Sequence, residues 1–140
     1  MVQFKIVIGA KDGKSYQKEI NSPEADNLLK KRIGEKMSGD LLGLPGYEFE
    51  ITGGSDKCGF PMRKGIQQPR KVILISGGVG FSGKDRNKKK RGGILRRKTV
   101  CGELITKIVH QVNLKVLQEG SPKLGEEAVA EAPAEGEKKE

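Results

Sequence analysis

Val2, Phe4, Ile6 and Ile8 alternate with Gln3, Lys5 and Val7, which is the two-residue period of a strand with one buried face. Asp12-Gly13 supplies hairpin turn chemistry, and residues 14–20 return with Tyr16 and Ile20 on one side, so the chain is expected to open on a β-hairpin. Ser22-Pro23 reads as a helix start. Ala25, Leu28, Leu29 and Ile33 follow at helical spacing, with acids in the first turn, bases in the last, and Gly34 as the stop; the pattern predicts one main helix. Met37, Leu41, Leu42 and Leu44 form a glycine-broken segment of no assigned form.

Tyr47, Phe49 and Ile51 alternate with Glu48, Glu50 and Thr52, predicting a strand with one face in water that stops at Gly53-Gly54. Residues 72–75 are an unbroken apolar run that ends at Gly77-Gly78, the pattern of a central strand. The two endings echo each other, because each leads on to a Gly-Phe pair, Gly59-Phe60 and Gly80-Phe81. They suggest two glycine-rich loops on one rim of a small sheet. A further strand is expected within 94–100, and a last one over 108–116 in which Ile108, His110, Val112, Leu114 and Val116 share a parity that would turn His110 inward. The expected architecture is mostly β (α+β): a small β-barrel or strongly curved sheet of about six strands with one main helix and basic loops.

Charge changes this picture at one place. Residues 84–98, KDRNKKKRGGILRRK, hold nine Lys or Arg against the single acid Asp85, a local net of nine minus one, or +8, in a chain of net +9. Like-charge repulsion and the near absence of apolar residues argue that this stretch does not order by itself. Solvated faces of soluble domains usually mix signs, so a nine-to-one segment points to a polyanion, and its density to phosphate. From Glu119 the composition inverts: seven Glu and three Lys to residue 140 give −4. Residues 1–118 then carry +9 minus −4, or +13, and 119–140 read as an acidic, disordered tail.

Several chemistries fall away. Residues 78–84, GVGFSGK, match both GxGxxG and GxxxxGK after a predicted strand, but Asp85 stands where a magnesium-binding Ser or Thr belongs, and no apolar periodicity follows to build the helix whose N-terminus would face phosphate. Cys58 and Cys101 are far apart and His110 is the only histidine, so neither a metal site nor a histidine-assisted serine nucleophile is expected. No cofactor is expected, and no enzyme. The longest unbroken aliphatic run, 72–75, is far short of a membrane span, and the N-terminus has no signal-peptide pattern, so a cytoplasmic chain is expected. What survives is basic and glycine-rich: Lys84, Arg86, Lys88, Lys89, Lys90, Arg91, Arg96, Arg97 and Lys98 as candidate RNA contacts, with glycines that let backbone approach phosphate.

Residues 53–62, GGSDKCGFPM, preceded by GYEFEIT and followed by RKG, resemble the small-subunit ribosomal proteins of the archaeal and eukaryotic S-six-e family. The opening VQFKIVI, SPEADNLLKKRIG, ISGGVGFSGK, RNKKKRGGILRRKTVCG and the closing VNLKVL match in the same order, over roughly 2–118. The resemblance implies a structural component bound to small-subunit ribosomal RNA beside neighbouring ribosomal proteins, with no catalytic role, and homo-oligomers are not expected. It also implies an archaeal-type chain, since the long basic C-terminal extension of eukaryotic members is not matched here. Onto this sequence it carries Gly53, Gly54, Gly59 and Pro61 as loop-shaping residues, with Gly77 and Gly78 in the second loop. Phe60 and Met62 become core anchors, and Lys57, Arg63 and Lys64 join the candidate phosphate contacts. The remaining alternatives are a free RNA- or DNA-binding module and a degenerate nucleotide-binding enzyme.

Overall fold

The computed structural model describes residues 3–120 and Leu124. Seven strands are formed: β1 (Gln3–Gly9), β2 (Ser15–Asn21), β3 (Lys36–Ser38), β4 (Glu48–Asp56), β5 (Arg70–Ile75), β6 (Arg96–Cys101) and β7 (Val109–Gln118). Five of them make a mixed sheet of order β2-β1-β7-β4-β3, and β5 and β6 make a separate antiparallel ribbon. The last strand is the middle of the sheet, parallel to β1 and antiparallel to β4. The opening hairpin forms as its alternation predicts, with Gly13 at a φ of 81° in the turn.

Alternation puts Phe4, Ile6 and Ile8 of β1, Phe49 and Ile51 of β4, and Val112, Leu114 and Val116 of β7 into one buried cluster. Each such side chain contributes about 1.5–3 kcal/mol relative to an exposed one. Ala25, Leu28, Leu42, Leu44, Tyr47, Ile105 and Met62 join the cluster from the connecting segments, and Ile20, Met37, Cys101 and Val109 from the other strand positions. Irregular chain, not a helix, therefore closes the core.

The helix predicted from Ser22 to Gly34 is not there. Its place is taken by a five-residue 3-10 turn, Glu24–Leu28, without a side-chain cap at its start, and a second short 3-10 turn spans Gly39–Leu42. No α-helix occurs among the described residues. Leu29 is extended and Lys30 has a φ of 68°. The reason lies in tertiary hydrogen bonding. Lys30 N–H donates to Ile105 O at 3.0 Å, Ile33 N–H to Glu103 O at 3.2 Å and Gly34 N–H to Ile51 O at 2.7 Å. Those partners replace the intrahelical ladder, and Leu29 and Ile33 still reach the core. Helical spacing of apolar residues is satisfied by another route.

Three further expectations are corrected. The sheet is no barrel: its edges, β2 and β3, are not paired, and three-residue β3 gives way at once to the 3-10 turn at Gly39. The 72–75 run is not central but lies in the ribbon, where Val72 and Leu74 are each 59% exposed. It is an apolar strand beside the charged β6, which no second layer covers. His110 is half-buried and Val109 takes the core position. Ser55 pairs Gln111 while Asp56 pairs Val109, so His110 is the extra residue of a bulge, and a bulge inverts the parity that the sequence pattern assumed.

Strand β4 also runs through Gly53-Gly54 instead of stopping there. A Cβ built on Gly54 would lie 2.2 Å from Gln111 O and 3.0 Å from Met62 Sδ, whereas one on Gly53 meets nothing within 4 Å. Only at Gly54 does the close approach of β4 to β7 exclude a side chain. Gly54→Ala is expected to destabilise the fold by roughly 1–3 kcal/mol or more, the usual range for overpacking, and Gly53→Ala by clearly less; urea unfolding of the two variants checks the contrast.

Candidate nucleic-acid interface

The ribbon is the most basic regular element. Its register pairs Ile75 with Arg96, Leu74 with Arg97 and Ile73 with Lys98, and Arg70, Lys71, Arg96, Arg97 and Lys98 are all exposed. Between β5 and β6 the chain leaves as an arm. Lys84, Arg86, Lys88, Lys89, Lys90 and Arg91 are exposed on it, but the arm has local structure that like-charge repulsion alone did not predict. Asp85 N–H donates to Lys89 O and Lys88 N–H to Asp85 O, each at 2.9 Å, and Lys84 bridges Lys90. The Asp85 carboxylate accepts from Arg86 N–H at 2.7 Å and stands 4.0 Å from Arg91 and 3.9 Å from Arg96. One acid folds the arm into a turn and leaves the lysines outward.

The glycine-rich loops meet, although they do not share a sheet rim. Gly77-Gly78 follow the ribbon strand β5, while Gly53-Gly54 lie inside the five-stranded sheet. Arg63 Nη1 donates to Val79 O at 3.2 Å, and a Cβ on Gly80 would lie 3.1 Å from Val100 and 3.6 Å from Pro61. Gly59 has a φ of 82° and Gly78 one of 96°; a Cβ on Gly77 meets nothing within 4 Å. Among the described residues no helix follows 78–84. Lys57 and Lys64 are exposed beside this junction and Arg63 is half-buried. The chain at Pro61 to Arg63 runs along β6, with Cys101 N–H donating to Pro61 O at 2.8 Å and Arg63 N–H to Cys101 O at 3.0 Å.

What holds this junction is Asp56, the buried acid at the end of β4. Its Oδ1 accepts from Cys58 N–H at 2.7 Å and Phe60 N–H at 3.1 Å, and its Oδ2 accepts from Arg70 Nη2. Arg70 in turn lies 5.2 Å from the Phe60 ring centroid. Met62 is buried in the core, but Phe60 is only half-buried and is covered by that guanidinium. Burial by itself favours the neutral carboxyl; hydrogen bonds from Phe60 N–H, Arg70 and Cys58 N–H, with the Arg70 charge, outweigh it and hold the Asp56 pKa below the usual carboxylate value. Cys101 is buried, its thiol donates to Pro69 O at 3.1 Å, and burial pushes its pKa up, so it remains a neutral thiol.

Sequence reasoning passed over Asp56, Arg70 and Lys71. A signal for Asp56 existed: an Asp followed by N–H groups two and four residues on, inside a glycine-rich turn, is a candidate Asx turn. For Arg70 there was none, because its partner is distant in sequence.

The sequence model of the family described as Ribosomal protein S6e matches residues 4–128. The chain belongs to that family. It is 42% identical over 124 residues to the small ribosomal subunit protein eS6 of Methanothermobacter thermautotrophicus, covering 88% of this chain and 93% of that one. The eS6 of Archaeoglobus fulgidus is 40% identical over 128 residues (89% and 95%), and that of Methanocella arvoryzae 38% over 138 residues (97% and 93%). As a ribosomal S6e protein the chain is a structural component of translation and not an enzyme, and among the described residues no helix is long and apolar enough to cross a membrane.

Asp56→Asn keeps an acceptor for the loop amides but removes the charge facing Arg70, and is expected to lower stability by about 1–3 kcal/mol at neutral pH. Because the folded Asp56 pKa is depressed, its contribution is complete above the unfolded value of about 3.9 and is lost as pH falls through the lower folded one. Urea unfolding should show a constant gap between the native chain and Asp56→Asn from neutral pH to about 5, narrowing below about 4; a gap that widens in acid contradicts the assignment.

Proposed function

We propose that this S6e-family chain is built into the small ribosomal subunit in the cytoplasm and is held there by ribosomal RNA lying along its ribbon and arm, next to other ribosomal proteins. The observation that carries the reading is placement. Lys71, Arg96, Arg97 and Lys98 lie in a two-stranded ribbon outside the five-stranded sheet, and the arm that joins the two strands adds Lys84, Arg86, Lys88, Lys89, Lys90 and Arg91. Lys57, Arg63 and Lys64 extend the same basic region from the neighbouring loop. Residues 1–118, at +13, form the RNA-binding unit; the acidic segment 119–140 lies outside the described residues apart from Glu119, Gly120 and Leu124.

The chemistry of the contacts follows from the residue types. Lysines that project from a turn act as point charges on phosphate, while arginines take phosphate oxygens in pairs. A-form RNA offers phosphates and 2′-hydroxyls across a shallow minor groove, and a basic ribbon and arm suit that backbone better than base edges. Such contacts release counterions, so affinity falls with salt in proportion to their number.

Replacing Lys88, Lys89, Lys90 and Arg91 together by Gln is expected to flatten the log–log salt dependence of RNA binding by roughly 0.7–0.9 for each phosphate that is no longer neutralised. Filter binding to small-subunit RNA measures it, and an unchanged slope removes the arm from the RNA-binding surface. In a sucrose gradient of cell extract at moderate salt, the chain should travel with small subunits. Recovery mainly in the free fraction would favour a module that works outside the ribosome.

A further inference from the structure

The contact that fixes the 57–63 loop also fixes a guanidinium plane. Arg70 donates to an Asp56 side chain that is wholly buried, yet the Arg70 side chain is itself 39% exposed. Phe60 backs it, with the ring centroid 5.2 Å from Cζ. Asp56 and Cys58 Sγ, the latter 3.5 Å from Nη2, hold one edge and the Phe60 ring lies against the group, so the exposed part of the guanidinium is what these three leave uncovered.

We propose that Arg70, backed by Phe60, is a stacking platform for an unpaired base of the bound RNA, distinct from the phosphate contacts around it. The inference rests on the RNA-binding reading above and states which part of the RNA this position takes. The charge of Arg70 is already matched by the ionised Asp56, so it offers phosphate little net attraction. Its plane is already immobilised, so stacking orders no further side chain. A planar, weakly hydrated cation is a good surface for a base, and a flat guanidinium is used in this way where RNA bases are splayed out.

The second Gly-Phe pair makes the contrast. Lys98 Nζ stands 5.9 Å from the Phe81 ring centroid, with no carboxylate partner among the described residues. An ammonium has no plane to stack on and keeps its charge for phosphate. By strand parity Arg70 and Lys98 point to opposite sides of the ribbon, since Arg70 pairs Cys101 and Lys98 pairs Ile73. One side thus presents a neutralised plane and the other an unpaired charge.

The test titrates the full chain at fixed salt with a short oligoadenylate and with an abasic ribose-phosphate oligomer of the same length. The unaltered chain should bind the oligoadenylate roughly 5- to 150-fold more tightly, the range for one base stacked on an aromatic side chain. Arg70→Lys keeps the charge and removes the plane, and should bring the ratio close to one while leaving the abasic affinity and its salt slope unchanged. Circular dichroism checks that this variant folds. Should it not, ultraviolet crosslinking of a 4-thiouridine oligomer to the unaltered chain decides: attachment within residues 60–70 supports the platform, and attachment confined to 84–98 overturns it. Equal affinity of the unaltered chain for the two oligomers, or an Arg70→Lys variant that keeps the full ratio, also overturns it and leaves the RNA-binding reading standing. Absence of binding to both removes that reading and the platform with it.

Discussion

A buried carboxylate can be ionised inside a protein only if the groups around it replace the water it has lost. Asp56 meets that requirement with Cys58 N–H and Phe60 N–H on one oxygen and the Arg70 guanidinium on the other. The three donors come from the loop that follows β4 and from the first residue of β5. A single acid therefore sets the shape of the GGSDKCGFPM loop, the covering of Phe60 and the start of the ribbon. The approach of Gly54 to the Gln111 carbonyl keeps β4 close to β7 just before that point, so the packing of the sheet delivers Asp56 to its partners.

The same segregation governs the charges. Apolar positions on one face of β1, β4 and β7 make a core that irregular segments cover, and this leaves β5 and β6 free of core duty over most of their length. Only Ile75, Val100 and Cys101 of the ribbon are buried. Its other positions can then be basic without burying an unpaired charge, which would be far costlier than exposure. In the arm, Asp85 organises a turn amid bases that repel one another. The outcome is a surface whose charge is left uncompensated within residues 1–118, which is why a polyanion is the partner proposed for it.

The strands of this fold are legible where the two-residue period of a segment's own residues matches its buried face, as in 4–8, 49–51 and 112–116, even though β4 and β7 shift register at Glu48/Phe49 and at Ile51/Gly53. The pattern misleads where a bulge shifts the parity, which exchanges His110 for Val109, and where the apolar run 72–75 reads as central although its partner strand is too basic to be covered. The false helix is instructive in another way. Ala25, Leu28, Leu29 and Ile33 do face the core, so the pattern of burial was correct, and what failed was the assumption that only a helix produces it. For the candidate site, the basic residues and the glycine-rich motifs were visible as composition. The Asp56–Arg70 contact was not, because it joins two residues across a loop whose path no local pattern specifies.

In the proposed assembly the ribbon and its arm are the face laid on ribosomal RNA, with the five-stranded sheet supporting them. A density map of the small subunit containing this chain tests it most directly. Phosphate groups are expected along Lys71, Lys88, Lys89, Lys90, Arg96 and Lys98, with the edge strand β2 turned away from the RNA. A map in which the ribbon and arm face solvent while RNA follows β2 would contradict it.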